Sequence, residues 1–173
     1  MRNSLKIAGV AAFLALYFMA CKKAGNKCEP ESFQYSFYRS KQLDTTRLMT
    51  QDPMFNYYSF TINDGNQLVF EYEHHYRDCP EIADDEGLKK IYFEIPMSLS
   101  ADRFVLDDSA ELLAAKCLVS LSCECYPSLP VFVTTGTIEG TRLDANSWKI
   151  KADLVMPWNP QSTLQFEKVF LVR

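Results

Sequence analysis

The chain has 173 residues, with 22 acidic side chains against 18 Lys and Arg, and a formal charge of −4. That length fits one domain with enough chain to bury a core. The acidic balance excludes nucleic acid as a partner, because a nucleic-acid binder carries a basic footprint.

Arg2 and Lys6 open the chain, and Ile7 to Ala20 is an uncharged, mostly apolar run. A bilayer-spanning helix needs about 20 such residues, so the run is too short to span. A positive start, a short apolar stretch and a small residue before a break predict a secretory signal peptide over 1–20. The run ends in Phe18-Met19-Ala20-Cys21. This ending resembles the lipobox of bacterial lipoproteins: Ala20 and Cys21 match, while Phe18 and Met19 are larger than the usual residues. The resemblance covers residues 1–21 and carries no information on the fold. It implies that Cys21 is lipidated and becomes the mature N-terminus. No Asp follows the cysteine, which by the same resemblance favours the outer membrane, with the facing side left open. Multiple acyl chains on one cysteine anchor stably. Residues 21–32 then read as the lipidated cysteine and a flexible tether, with Lys22, Lys23 and Gly25. The competing reading is ordinary signal cleavage and a soluble secreted protein, but Phe18 is too large for an A-x-A site.

Without residues 1–20 the chain loses Arg2 and Lys6 and no acid, leaving 16 basic and 22 acidic residues over 153 positions. A single domain is expected over 33–173, with period-2 alternation throughout. Phe33, Tyr35 and Phe37 alternate with Gln34 and Ser36. Lys41 to Met54 has no clean period and reads as a loop. The runs Asn56–Ile62 and Gln67–Tyr76 flank Asn63-Asp64-Gly65, a hairpin-turn signal. Ile91, Phe93 and Ile95 share one face of the next strand. Asp108 and Glu111 are spaced as a capping box, predicting one helical turn near 108–113. Cys117, Val119, Leu121, Cys123 and Cys125 would then share a strand face. Two further strands flank Asp144-Ala145-Asn146, the second burying Trp148, Ile150, Ala152, Leu154 and Met156, and a last strand closes the chain. The glycines of Gly136–Gly140 suggest a bulge or close packing inside a strand. About eight strands with short turns predict an all-β antiparallel sandwich, with a closed or partly open barrel as the alternative.

Candidate chemistry is sparse. The doublet His74-His75 is the entire histidine content, and strand neighbours point to opposite faces, so the pair is a poor chelate. Glu71, Glu73 and His75 share one face and are the candidate metal ligands, suited to zinc or another divalent ion. Asp78, Glu81, Asp84, Asp85 and Glu86 form an acidic loop that lacks the spacing of a calcium hand. Cys28, Cys79, Cys117, Cys123 and Cys125 are the disulfide candidates in an oxidising envelope, and their odd number leaves one thiol over once Cys21 carries lipid. The C-x5-C-x-C set lacks the C-x2-C spacing of zinc ribbons. No nucleophile elbow, HExxH, P-loop or dinucleotide fingerprint is present. The expectation is a cell-envelope lipoprotein that binds or assembles without catalysing, attached to the membrane through lipid, with no other cofactor. A protein, peptide or glycan ligand is expected at a Tyr-rich sheet face or loop set. The alternative is a metal-binding protein or metal-dependent enzyme.

Overall fold

Because strand residues alternate between faces, a residue's number here gives its side of the sheet. The protein is described by a computed structural model, which covers residues 28–49, 55–77, 87–98, 102–122 and 129–173. In these residues the chain forms β1 (Ser32–Arg47), β2 (Tyr58–His75), β3 (Leu88–Pro96), β4 (Arg103–Leu106), α1 (Ser109–Ala114), β5 (Leu118–Ser122), β6 (Val131–Phe132), β7 (Gly136–Arg142), β8 (Ser147–Met156) and β9 (Asn159–Val172). The strands make one sheet in the order β4-β7-β8-β9-β1-β2-β3-β5-β6. Among the described residues every strand pair is antiparallel except β1 with β9. Those two run parallel and meet only at Ser36–Leu171 and Phe37–Val172. The all-β expectation holds, but the sheet is mixed rather than purely antiparallel and is not closed into a barrel.

One face of both halves of the sheet turns onto a shared core. Phe37, Phe70, Phe93, Trp148, Ile150 and Phe170 are all buried in it. Phe70 stacks on Phe93 at 4.7 Å and meets Trp148 edge-on at 5.9 Å, so aromatic contacts tie β2 and β3 to β8. β8 buries Trp148, Ile150, Ala152, Leu154 and Met156 and exposes Lys149, Lys151 and Asp153, as its alternation predicts. β7 and β8 are joined through Leu143–Asn146, the expected turn. Gly140 allows close packing: a Cβ there would lie 1.9 Å from the Phe104 ring. The Asp108 half of the expected capping box forms, while Glu111 reaches the N–H one residue before the cap. The Asp108 carboxylate accepts from Glu111 N at 2.8 Å, and Glu111 Oε2 accepts from Asp107 N at 3.0 Å.

The first hairpin corrects two expectations. Residues 41–47 are the second half of β1, not a loop. They carry one fully buried side chain, Leu43, so no apolar period marks them. The Asn63-Asp64-Gly65 stretch is not a hairpin turn. It lies inside β2, which runs unbroken from Tyr58 to His75, and produces a register irregularity in which Lys41 opposes both Asp64 and Gln67. The chain bends on the other strand at Ser40, whose φ is +52°, where Met97 Sδ accepts from Ser40 N at 3.3 Å. Beyond the bend the hairpin folds over the sheet face opposite the main core. Leu43 packs there with Val69, Tyr92 and Leu118, flanked by Tyr58 and Phe60. Glu94 fixes this lid from below: its Oε2 accepts from Leu43 N at 2.6 Å and its Oε1 pairs with Lys116 Nζ at 2.9 Å.

Of the sequence expectations, the signal peptide, Cys21, Cys79, Cys123, Cys125 and the acidic stretch 78–86 lie outside the described residues. Among the described residues no helix is long and apolar enough to cross a membrane.

Candidate functional site

The folded-over hairpin buries a polar cluster on the face opposite the main core. Glu71, Glu73 and Glu94 are all buried there. A buried carboxylate is tolerated only when its oxygens receive donors or a cation. Glu71 satisfies this with both oxygens. Tyr38 Oη donates to Oε2 at 2.5 Å and Tyr92 Oη to Oε1 at 2.6 Å. Arg173 Nη1 donates to Oε2 at 3.3 Å and to Tyr38 Oη at 3.1 Å. Four strands therefore converge on one side chain: Glu71 belongs to β2, Tyr38 to β1, Tyr92 to β3, and Arg173 follows β9.

Glu73, two residues along the same face, is paired with Lys90, and His75 Nε2 stands 3.6 Å from its Oε2. Burial pushes the Glu73 carboxyl up, but the Lys90 ammonium outweighs this, helped by hydrogen bonding to Glu71 and His75, and holds it below the usual carboxylate range. Burial, with the Glu71 carboxylate beside it, pushes the Tyr38 and Tyr92 phenols up, so both stay protonated donors.

The alternation thus brings the predicted trio Glu71, Glu73 and His75 onto one face. What it does not reveal is that the two carboxylates are already engaged. A metal here has to displace Lys90 and Arg173. Among the described residues the group of three with ligand atoms within 4.8 Å of one another is Asp107, Asp108 and Glu111, all exposed, and the Asp108 and Glu111 carboxylates already accept backbone N–H groups at the start of α1. His74 is buried on the core face, as its parity requires. It is bonded to Glu31, and its ring stacks on Phe33 at 4.3 Å. Sequence reasoning missed Tyr38, Tyr92 and Lys90 as partners of the acids. Their parity places them on the acids' face, and that was the available signal.

A second feature is a cleft of about 410 Å³ between β3 and the β4–α1 excursion. Ile95, Phe104, Leu106 and Ala115 give it apolar walls, and Gln67 and Glu111 give it polar ones. Its size is that of a small-ligand pocket.

Cys117 is buried and free, and burial pushes its thiol up to about 12, so it is no thiolate ligand or nucleophile at neutral pH. Cys28, just ahead of β1, is disulfide-bonded. No protein family, curated protein or solved structure matches the chain.

Glu73 gives a pH prediction. A carboxyl held low in the folded state contributes stability above its unfolded value, about 4.3. That contribution is lost as the pH falls through the depressed folded value. Melting temperature should therefore fall on acidification below about pH 4.3. In Glu73→Gln the fall should be shallower. Identical slopes in the two proteins would show that Glu73 is not part of the acid response.

Proposed function

We propose that this chain is a cell-envelope lipoprotein whose mature β domain is a non-catalytic binding or assembly module. Lipid on Cys21 holds it at the membrane, with the outer membrane favoured. The two halves of its sheet act as the layers of a sandwich around the aromatic core. The observation that carries the non-catalytic part is the saturation of Glu71 and Glu73. Their oxygens already hold two phenols, a guanidinium and an ammonium. Such a cluster fixes strands rather than activating water or substrate, because an acid–base catalyst needs an oxygen within reach of the reacting proton. The cleft beside β4 supports the binding part. The anchor is supported by Ala20-Cys21 at the end of the short apolar run.

Two measurements test the reading. Cys21→Ser should move the protein from the detergent phase to the aqueous phase in detergent partitioning, and unchanged partitioning would refute the lipid anchor. Metal analysis of the purified chain should find no stoichiometric metal. One zinc or copper per chain would overturn the module reading in favour of a metal protein.

A further inference from the structure

The lone parallel contact in the sheet leaves an internal edge. Val172 N donates to Asn146 O. In an antiparallel ladder, residues alternate between bonding their partner strand and pointing away from it. The β8–β9 register therefore sends the N–H and C=O groups of Thr163, Gln165, Glu167 and Val169 away from β8, towards β1. On the facing strand, Arg173 N donates to Phe37 O, so the odd residues of β1 point to β9. Pairing between the two strands involves only Ser36–Leu171 and Phe37–Val172. Among the described residues no paired position between β1 and β9 falls at those four β9 residues, nor at Phe33 or Tyr35.

Unpaired backbone groups in a row are a template for another strand. The free edge on β4, argued from the same alternation, is shorter. Arg142 N donates to Asp102 O, leaving only Arg103 and Val105 pointing outwards. The β1–β9 seam is also rimmed by aromatic rings, of which Tyr35 and Phe166 pack against the main core. Phe33 is 45% exposed. Tyr35 and Phe166 are half-buried, with ring centroids 6.4 Å apart. Lys168 Nζ stands 5.9 Å from the Tyr35 ring and has no carboxylate partner among the described residues.

We propose that the seam between β1 and β9 is a strand-addition site for an extended peptide segment of a partner protein. The inference rests on the binding-module reading and goes beyond it by naming the site and the ligand class. A row of alternating N–H and C=O groups is satisfied by another extended backbone. The incoming strand runs antiparallel to both neighbours, the more stable pairing, and makes this part of the sheet antiparallel throughout. Its apolar or aromatic side chains face Phe33, Tyr35 and Phe166. An acidic residue among them meets Lys168.

The probe is a library of random ten-residue peptides displayed on phage, selected against the full chain in detergent. Selected peptides should protect the amides of Thr163, Gln165, Glu167 and Val169 from hydrogen exchange. Gln165→Pro removes one seam N–H and keeps the β8–β9 backbone bonds, because that N–H points away from β8, while giving up the exposed Gln165 Nε2 bond to Asp153 Oδ2. It should weaken binding by about tenfold or more. The same loss is expected when the peptide, rather than the protein, is N-methylated at alternate residues, a test that does not depend on the variant folding. Equal binding after N-methylation, or no selected peptide at all, would overturn the proposal. Protection of the four amides in the chain alone, with a doubled mass in solution, would assign the seam to a second copy and overturn it too. Peptides that protect Val105 instead would overturn the seam but leave the binding-module reading standing. Bound metal would overturn that reading and leave the seam.

Discussion

Glu71→Ala is expected to lower the stability of the domain by about 3–5 kcal/mol, the range for breaking a buried charged cluster from one side. Glu71 lies under the folded-over hairpin, and alanine removes both oxygens that Tyr38, Tyr92 and Arg173 address. Two phenols whose pKa burial already raises are then left without their acceptor. Each unsatisfied buried donor costs about 1–3 kcal/mol. For a domain of this size the fall in melting temperature is roughly 6–20 °C. Glu71→Gln keeps the shape and one acceptor oxygen and loses the charge, so it should fall between wild type and alanine. Thermal melts of the three proteins test the order. If Glu71→Gln or Glu71→Ala is as stable as wild type, the cluster is not holding the strands together, and the metal reading of Glu71, Glu73 and His75 regains ground.

The parts of this site that were legible share one cause. Strand alternation is a local property, so Glu71, Glu73 and His75 could be placed on one face, and His74 on the other, from their numbers alone. The partners are non-local. Tyr38 and Arg173 reach Glu71 only because β1 lies between β2 and the end of β9. No periodicity encodes that order. The second half of β1 was hidden for a different reason: it buries Leu43 on a small cluster and leaves most of its other side chains half or fully exposed. Turn chemistry misled at Asn63-Asp64-Gly65, where residues suited to a tight turn are used for a bulge within a long strand. By contrast, β8 and the β3 face of Ile91, Phe93 and Ile95 were legible because one of their faces meets the core along its length. The seam between β1 and β9 follows from register, which no sequence pattern here specifies.

Reduction of the oxidised protein is expected to cost more stability than any single core substitution, because two bridges are expected to open together. Cys117 is buried and free, which is the state expected of the leftover thiol if Cys21 carries lipid and the other four cysteines pair. Cys28 is disulfide-bonded, and its partner is not Cys117. The strand order explains the division. Ser32 pairs with His75, His75 with Leu88, and Leu88 with Ser122, so the starts of β1 and β3 and the ends of β2 and β5 lie side by side at one end of these strands. Cys28 precedes Ser32 by four positions, Cys79 follows His75 by four, and Cys123 follows Ser122 directly. Cys117 lies at the opposite end of β5, turned into the main core. A Cys123–Cys125 bridge is disfavoured, because i and i+2 in an extended strand lie near the Cα limit of about 7 Å, so two bridges joining Cys28 and Cys79 to Cys123 and Cys125 are expected, each closing a long loop in sequence. By the loop-entropy account each contributes about 2–4 kcal/mol. A one-domain stability is about 5–15 kcal/mol, so reduction should bring the melting temperature down sharply or unfold the domain at 37 °C. Thiol counting under denaturing conditions should find one reactive thiol, and peptide mass spectrometry should place it at Cys117. Cys117→Ala should then remove that thiol and leave the reduction-induced shift in melting temperature unchanged. Five free thiols in the oxidised protein, or a bridge to Cys117, would overturn the assignment. A melting temperature indifferent to reductant would show that the aromatic core and the Glu71 cluster suffice without covalent staples.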